Sequence, residues 1–148
     1  MPAQSTIIPP QQLIDAAKAP ILAFNEKNWD AVRASITSDF VYDEVATNRQ
    51  ARGVDQVILL WQGWATAFPD AKATFQRELV CGNTVVLEHT WRGTHKGPLQ
   101  TPEGPIPATG NRIDMRACMV VEVTGEKASL QRHYFDMATM LQQLGVNS

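Results

Sequence analysis

The chain has 148 residues, 44% of them apolar and 19% charged, which is the size and make-up of one globular domain able to enclose a core. Its formal charge of −2 and pI near 5.9 provide no clustered basic surface for nucleic acid or an anionic membrane, so neither is expected as a partner. No basic segment followed by a long apolar run opens the sequence, since Ile7-Ile8 is cut off by Pro9-Pro10, and no stretch has membrane-spanning length; the expected location is the cytoplasm.

Residues 1–10 read as a loose lead-in to a single domain spanning 1–148. Leu13, Ile14, Ala17, Ile21, Leu22 and Phe24 then recur at roughly helical spacing, and Pro20 implies either two short helices or one kinked helix. Asn28 or Asp30 is placed to cap a further helix over 29–35, and 40–45 is a strand. After Gly53 comes the strongest helical stripe in the chain: Val54, Val57, Ile58, Trp61, Trp64, Ala65 and Phe68, ended by Pro69-Asp70. These aromatics either pack the helix onto a sheet or, in the case of Trp61 and Trp64, also wall a ligand cavity.

From residue 71 the pattern changes to strands. Segments 71–81 and 84–94 are joined by Gly82-Asn83, a two-residue hairpin signal, and 111–124 and 128–135 are joined by Gly125-Glu126-Lys127. The proline-rich stretch 96–110 between the pairs is a long irregular loop, either a lid or an edge crossover. Met137, Met140, Leu141 and Leu144 form a terminal helix stopped by Gly145. Helices grouped apart from long antiparallel strands make the fold class α+β, with the sheet curling around the long helix to leave a conical, apolar cavity. Cys81 and Cys118 stand alone within strand segments and read as two buried thiols.

No phosphate-binding glycine loop, Gly-x-Ser-x-Gly elbow, His-Glu-x-x-His or Cys-x-x-Cys occurs. His89 and His95 lie six residues apart on one strand, about 20 Å at strand rise, too far to share a metal unless the strand ends or bends between them, so no metal or cofactor is expected. What remains is acid–base chemistry by carboxylate. On the last strand, alternation sets Arg132, Tyr134 and Asp136 on one face and Gln131, His133 and Phe135 on the other. If the first face lines the cavity, Asp136 is a general acid/base with its pKa raised by desolvation, and Arg132 and Tyr134 contact substrate. The competing reading makes Asp136 the N-cap of the terminal helix.

Phe68-Pro69-Asp70, Arg92-Gly93-Thr94-His95-Lys96-Gly97, Ala108-Thr109-Gly110 and the terminal Arg-His-Tyr-Phe-Asp with Gln142-Gln143-Leu144-Gly145 occur in an order that resembles the SnoaL-like polyketide cyclases. These belong to the nuclear-transport-factor-2-like superfamily, which includes ketosteroid isomerases. The resemblance covers residues 13–145 and implies an α+β cone, commonly a homodimer, around an apolar pocket for a small hydrophobic substrate. It also implies a cofactor-independent intramolecular aldol closure in which Asp136 is acid and base. Isomerisation, dehydration, epoxide hydrolysis or ligand binding without catalysis are the alternatives. His95, in the segment shared with the family, either assists the aspartate or anchors a loop; His133 adjoins Asp136 but lies on the opposite face.

Overall fold

The computed structural model describes residues 8–146, so most of the expected lead-in lies outside the described residues. Helix α1, Pro10–Asn25, runs through Pro20 as one helix. Proline removes one backbone hydrogen bond there, and the buried face of Leu13, Ala17, Pro20, Ile21 and Phe24 holds the helix across the gap. Helix α2, Trp29–Ser35, is capped by Asn28, whose side chain accepts from the Ala31 N–H at 3.0 Å.

Strand β1, Ile36–Glu44, follows without a loop and is longer than its sequence pattern suggests, because Thr37, Ser38 and Asp39 extend it with polar side chains. A single 3₁₀ turn, Val45–Thr47, and the left-handed Asn48 return the chain as β2, Arg49–Arg52, antiparallel to β1. This short polar edge strand has no apolar alternation to betray it. Helix α3, Val54–Ala67, carries the aromatic stripe.

Strands β3, Lys72–Cys81, and β4, Thr84–Thr94, form the first expected hairpin, with Gly82 at φ +62°. Strands β7, Arg112–Thr124, and β8, Lys127–Phe135, form the second, with a two-residue turn of Gly125 and Glu126. Between the hairpins, the stretch read as irregular holds a ribbon of its own, β5, Leu99–Thr101, against β6, Gly104–Ile106. Helix α4, Met137–Gln143, closes the fold.

The main sheet has the order β2-β1-β8-β7-β4-β3. It is mixed rather than wholly antiparallel, because β1, second from one edge, runs parallel to β8, and it curves around α3 as the fold class requires. The thiols also differ from expectation: Cys81 is exposed and Cys118 half-buried, since both fall on the outward phase of their strands.

The junction between α3 and the loop is set by Lys96 and Gly97, whose N–H groups both donate to the Ala67 carbonyl at 2.9 and 3.2 Å. They satisfy a helix-end carbonyl that would otherwise be orphaned. A Cβ at Gly97 would collide with the Thr66 carbonyl, a backbone atom that cannot swing aside. Gly97→Ala is therefore expected to lower stability by about 1–3 kcal/mol in urea unfolding. A variant as stable as the parent would show that this backbone contact does not constrain the fold.

Candidate active site

The concave face of the sheet carries every second residue of its strands. Register puts Tyr42 beside Gln131 and Gln131 beside Val121, while Glu44 lies beside His133 and His133 beside Met119. The cavity under α3 measures about 60 Å³, room for a few water molecules or the reacting end of a small ligand. Its walls are Phe24 and Ile21 from α1, Trp61, Trp64 and Phe68 from the α3 segment, and Tyr42, Trp91, Met115, Met119, Gln131, His133 and Phe135 from the sheet, with Met140 from α4. Trp64, Trp91 and Phe135 are the only members of this wall that are partly solvent-exposed together, so they mark where a larger ligand would have to displace side chains.

Its polar groups other than Gln131 form one chain of hydrogen bonds. The Trp91 indole N–H can only donate, and it lies 3.2 Å from His133 Nε2, which makes Nε2 the acceptor and leaves the ring proton on Nδ1. His133 Nδ1–H then donates to the Tyr42 oxygen at 2.8 Å, and the Tyr42 hydroxyl donates to Glu44 Oε2 at 2.7 Å. Glu44 is fully buried. Oε2 also accepts from the Trp64 indole at 2.8 Å, and Oε1 accepts from Thr47 at 2.5 Å and from Arg49 at 2.7 and 3.1 Å. Every neighbour of the carboxylate is a donor.

Burial, and then the neighbouring His89, pushes the His133 pKa well below the ordinary histidine value. His89 stacks on it with ring centroids 5.4 Å apart and is itself pushed down by burial. Tyr42 is pushed well up, first by burial and then by the Glu44 charge, and stays a phenol. Gln131 differs from Tyr42 and His133, although the buried His89 Nε2 is likewise without a partner among the described residues. The Gln131 side chain is fully buried in the cavity wall, and neither its Nε2 nor its Oε1 has a partner among the described residues.

The residues expected to carry the chemistry are elsewhere. Alternation on β8 is as the sequence indicates, but the face turned into the cavity is Gln131, His133 and Phe135. Asp136 is exposed on the outer side and caps α4, accepting from the Thr139 N–H at 3.0 Å and the Thr139 hydroxyl at 2.6 Å. The Thr139 hydroxyl, followed by the Thr139 N–H, holds its carboxyl below the usual range, opposite to the expected rise. Arg132 pairs with Glu122 at 3.6 Å on the surface, and Tyr134 is 42% exposed. A guanidinium in the strand is better hydrated outside, which turns this whole face to water.

His95 is buried against Phe68 but does not line the cavity. Its Nδ1 accepts from the Thr109 N–H and contacts the Thr109 hydroxyl at 3.0 Å, and its backbone exchanges hydrogen bonds with Gly110 and Asn111. It anchors the two ends of the loop. Trp61 and Trp64 both line the cavity. Tyr42, Glu44, Trp91, Gln131 and His133 were not singled out by the sequence as site residues, although the alternation of Tyr42 with Glu44 and of Gln131 with His133 was available to be read. Among the described residues, no three His, Cys, Asp or Glu side chains group as a metal site would need, and no helix is long and apolar enough to cross a membrane.

A curved sheet wrapped on a helix, closed by further helices over an apolar hollow, defines the ketosteroid-isomerase-like class of α+β cones. The model of the family described as SnoaL-like polyketide cyclase matches residues 14–144, and the chain belongs to that family. IdmH of Streptomyces antibioticus is similar in structure at 26% identity, with a TM-score of 0.77 over 91% of this chain and 99% of that one. TsrD of Streptomyces laurentii, at 18% identity, has a TM-score of 0.80 over 95% and 100%. An LEH-like epoxide hydrolase of M. tuberculosis, at 24% identity, has a TM-score of 0.70 over 90% of each chain. No curated protein matches the sequence.

The three lowered histidines set a pH dependence. Above about pH 6.5 imidazoles are neutral in both folded and unfolded chains, and their contribution to stability is complete. Below it the unfolded chain takes up protons that the folded chain refuses, so the unfolding free energy falls as pH drops from about 6.5 towards 5. His133→Phe should make that decline shallower in pH-dependent urea unfolding. An unchanged slope would mean that His133 is not held neutral by the fold.

Proposed function

We propose that this protein is an acid–base enzyme acting on a compact hydrophobic carbonyl compound, with His133 rather than Asp136 as the group that moves the proton. The observation that carries the reading is the neutral imidazole in a largely aromatic cavity, backed by a phenol and a fully buried carboxylate. His133 Nε2 is the basic atom. Its lone pair is covered only by the Trp91 indole at 3.2 Å, the long end of the hydrogen-bond range, and a ligand that moves this indole uncovers it.

The leading reaction is the aldol closure of a polyketide-like substrate. His133 takes the proton from the carbon next to a carbonyl, that carbon forms the new bond to a second carbonyl, and the imidazolium returns the proton to the resulting alkoxide. Between the two transfers Nδ1–H points at Tyr42, whose hydroxyl is anchored on Glu44, so the transient positive charge faces an oriented dipole and a carboxylate without exposure to water. Isomerisation or dehydration would use the same first step. Family membership supports an enzyme of this general kind.

A second reading, ligand binding without turnover, is favoured by the narrow cavity and by the hydrogen bonds already held by both His133 nitrogens.

Exchange of α-protons of small cyclic ketones in D₂O, followed by proton NMR, separates the two readings. Protein-dependent exchange is expected, falling about 10²–10⁴-fold in His133→Phe and remaining near the parent rate in Asp136→Asn. The rate should hold as pH drops through 6.5 and decline only at lower pH, following the depressed His133 value. Binding without exchange supports the carrier reading. Exchange lost in a folded Asp136→Asn and kept in His133→Phe would return the chemistry to the outer carboxylate.

A further inference from the structure

We infer that Gln131 is the ligand-recognising group of the cavity, and that it selects a neutral compound presenting a hydrogen-bond donor directly beside a carbonyl. The inference deepens the proposed function, because it rests on the same cavity being a ligand site. Gln131 is fully buried, lines the cavity, and has both ends of its amide unpartnered among the described residues. Leaving a buried amide without partners costs stability, so one retained at both ends in a cavity wall points to a ligand that meets it.

The other polar groups of the wall are committed. Tyr42 and Trp64 are turned to Glu44, and Trp91 to His133. The amide alone is free to read a ligand.

An amide offers N–H donors and a carbonyl acceptor side by side. A ligand with a carbonyl only would satisfy Nε2 and leave Oε1 orphaned. A hydroxy-carbonyl compound or a cis-amide satisfies both. An anionic ligand finds no free cation in the wall: Arg49 is held by Glu44 outside the cavity, and the lining histidine is neutral. Gln131 and His133 are two residues apart on the same face of β8, about 7 Å along the strand. A molecule gripped by its donor–acceptor edge at Gln131 therefore extends its ring towards His133 Nε2.

Two seven-membered rings of nearly equal size, ε-caprolactam and cycloheptanone, test this by calorimetric titration and thermal shift with the full chain. The lactam carries donor and acceptor, the ketone only the acceptor. Replacing Gln131 by Leu or, as a second variant of closer shape, by Met should weaken the lactam about tenfold or more and leave the ketone unchanged or tighter. The free variants should melt at or above the parent temperature, because an orphaned amide has been removed.

A lactam-to-ketone affinity ratio that is the same in parent and variants overturns the role of Gln131 while leaving the cavity as a binding site. Variants that melt lower with an unchanged ratio, or unfold in both forms, make Gln131 a structural residue. If neither ring binds at millimolar concentration, the inference falls together with the cavity as a site for such ligands. Loss of exchange in His133→Phe is read separately and is not affected by these outcomes.

Discussion

The structure turns on one buried charge. Glu44 is removed from water at the end of β1, a placement costing several kcal/mol unless both oxygens are met by donors. They are met from four directions: Tyr42 on the same strand, Thr47 in the 3₁₀ turn, Arg49 on β2 and Trp64 on α3. The excursion after β1 follows from this requirement. Asn48 takes a left-handed conformation that asparagine tolerates, and this reverses the chain within a few residues so that the Arg49 guanidinium returns to the carboxylate. The Trp64 indole ties the aromatic stripe of α3 to the sheet at the same point. Helix, edge strand and sheet centre are thus fixed to one another by a polar contact beneath an apolar core.

That contact also determines what the cavity can offer chemically. With Glu44 saturated, Tyr42 is oriented as a donor towards it and as an acceptor from His133, and the imidazole tautomer follows without freedom. The carboxylate shapes the site while being shielded from it by Tyr42 and Trp64. The surface that faces a ligand is consequently aromatic and neutral, interrupted by one imidazole and one unpartnered amide. In such a medium the imidazole is held neutral, and the groups that would face a charge on it are already in place.

Much of this was legible in the sequence, and the gaps have identifiable causes. The amphipathic stripe of α3 and the glycine-centred hairpins carry strong local signals, so these elements and the α+β class follow from pattern alone. Strand β2 and the β5–β6 ribbon are too short for alternation to show them, although each pairs with a strand only a few residues away in the chain. The parallel pairing of β1 with β8 is a matter of topology across about 90 residues, which periodicity does not encode. At the site, the two faces of β8 were separable, but which one turns inward depends on the partners. Phe135 and His133 pack with ring centroids 4.9 Å apart, and Phe135 meets Trp64 at 5.9 Å; the opposite face holds a guanidinium that favours water.

The outward position of Asp136 is itself enforced. Side chains alternate along a strand, so turning residue 136 inward requires a one-residue slip or bulge at the end of β8. Such a slip would expel Phe135 from its contacts with His133 and Trp64 and withdraw the cap from α4, whose Thr139 N–H would lose its acceptor. The cap and the aromatic contacts of Phe135 would be lost together. Both terms act in the same direction, and the indole and phenol donors of the wall are already directed at Glu44 and His133, so an aspartate moved inward would find only the Gln131 amide unpartnered in the wall. A carboxylate at the strand-to-helix junction of this chain is therefore held by the local helix physics. The residues three and five positions earlier, His133 and Gln131, lie on the opposite phase of the strand and take the interior.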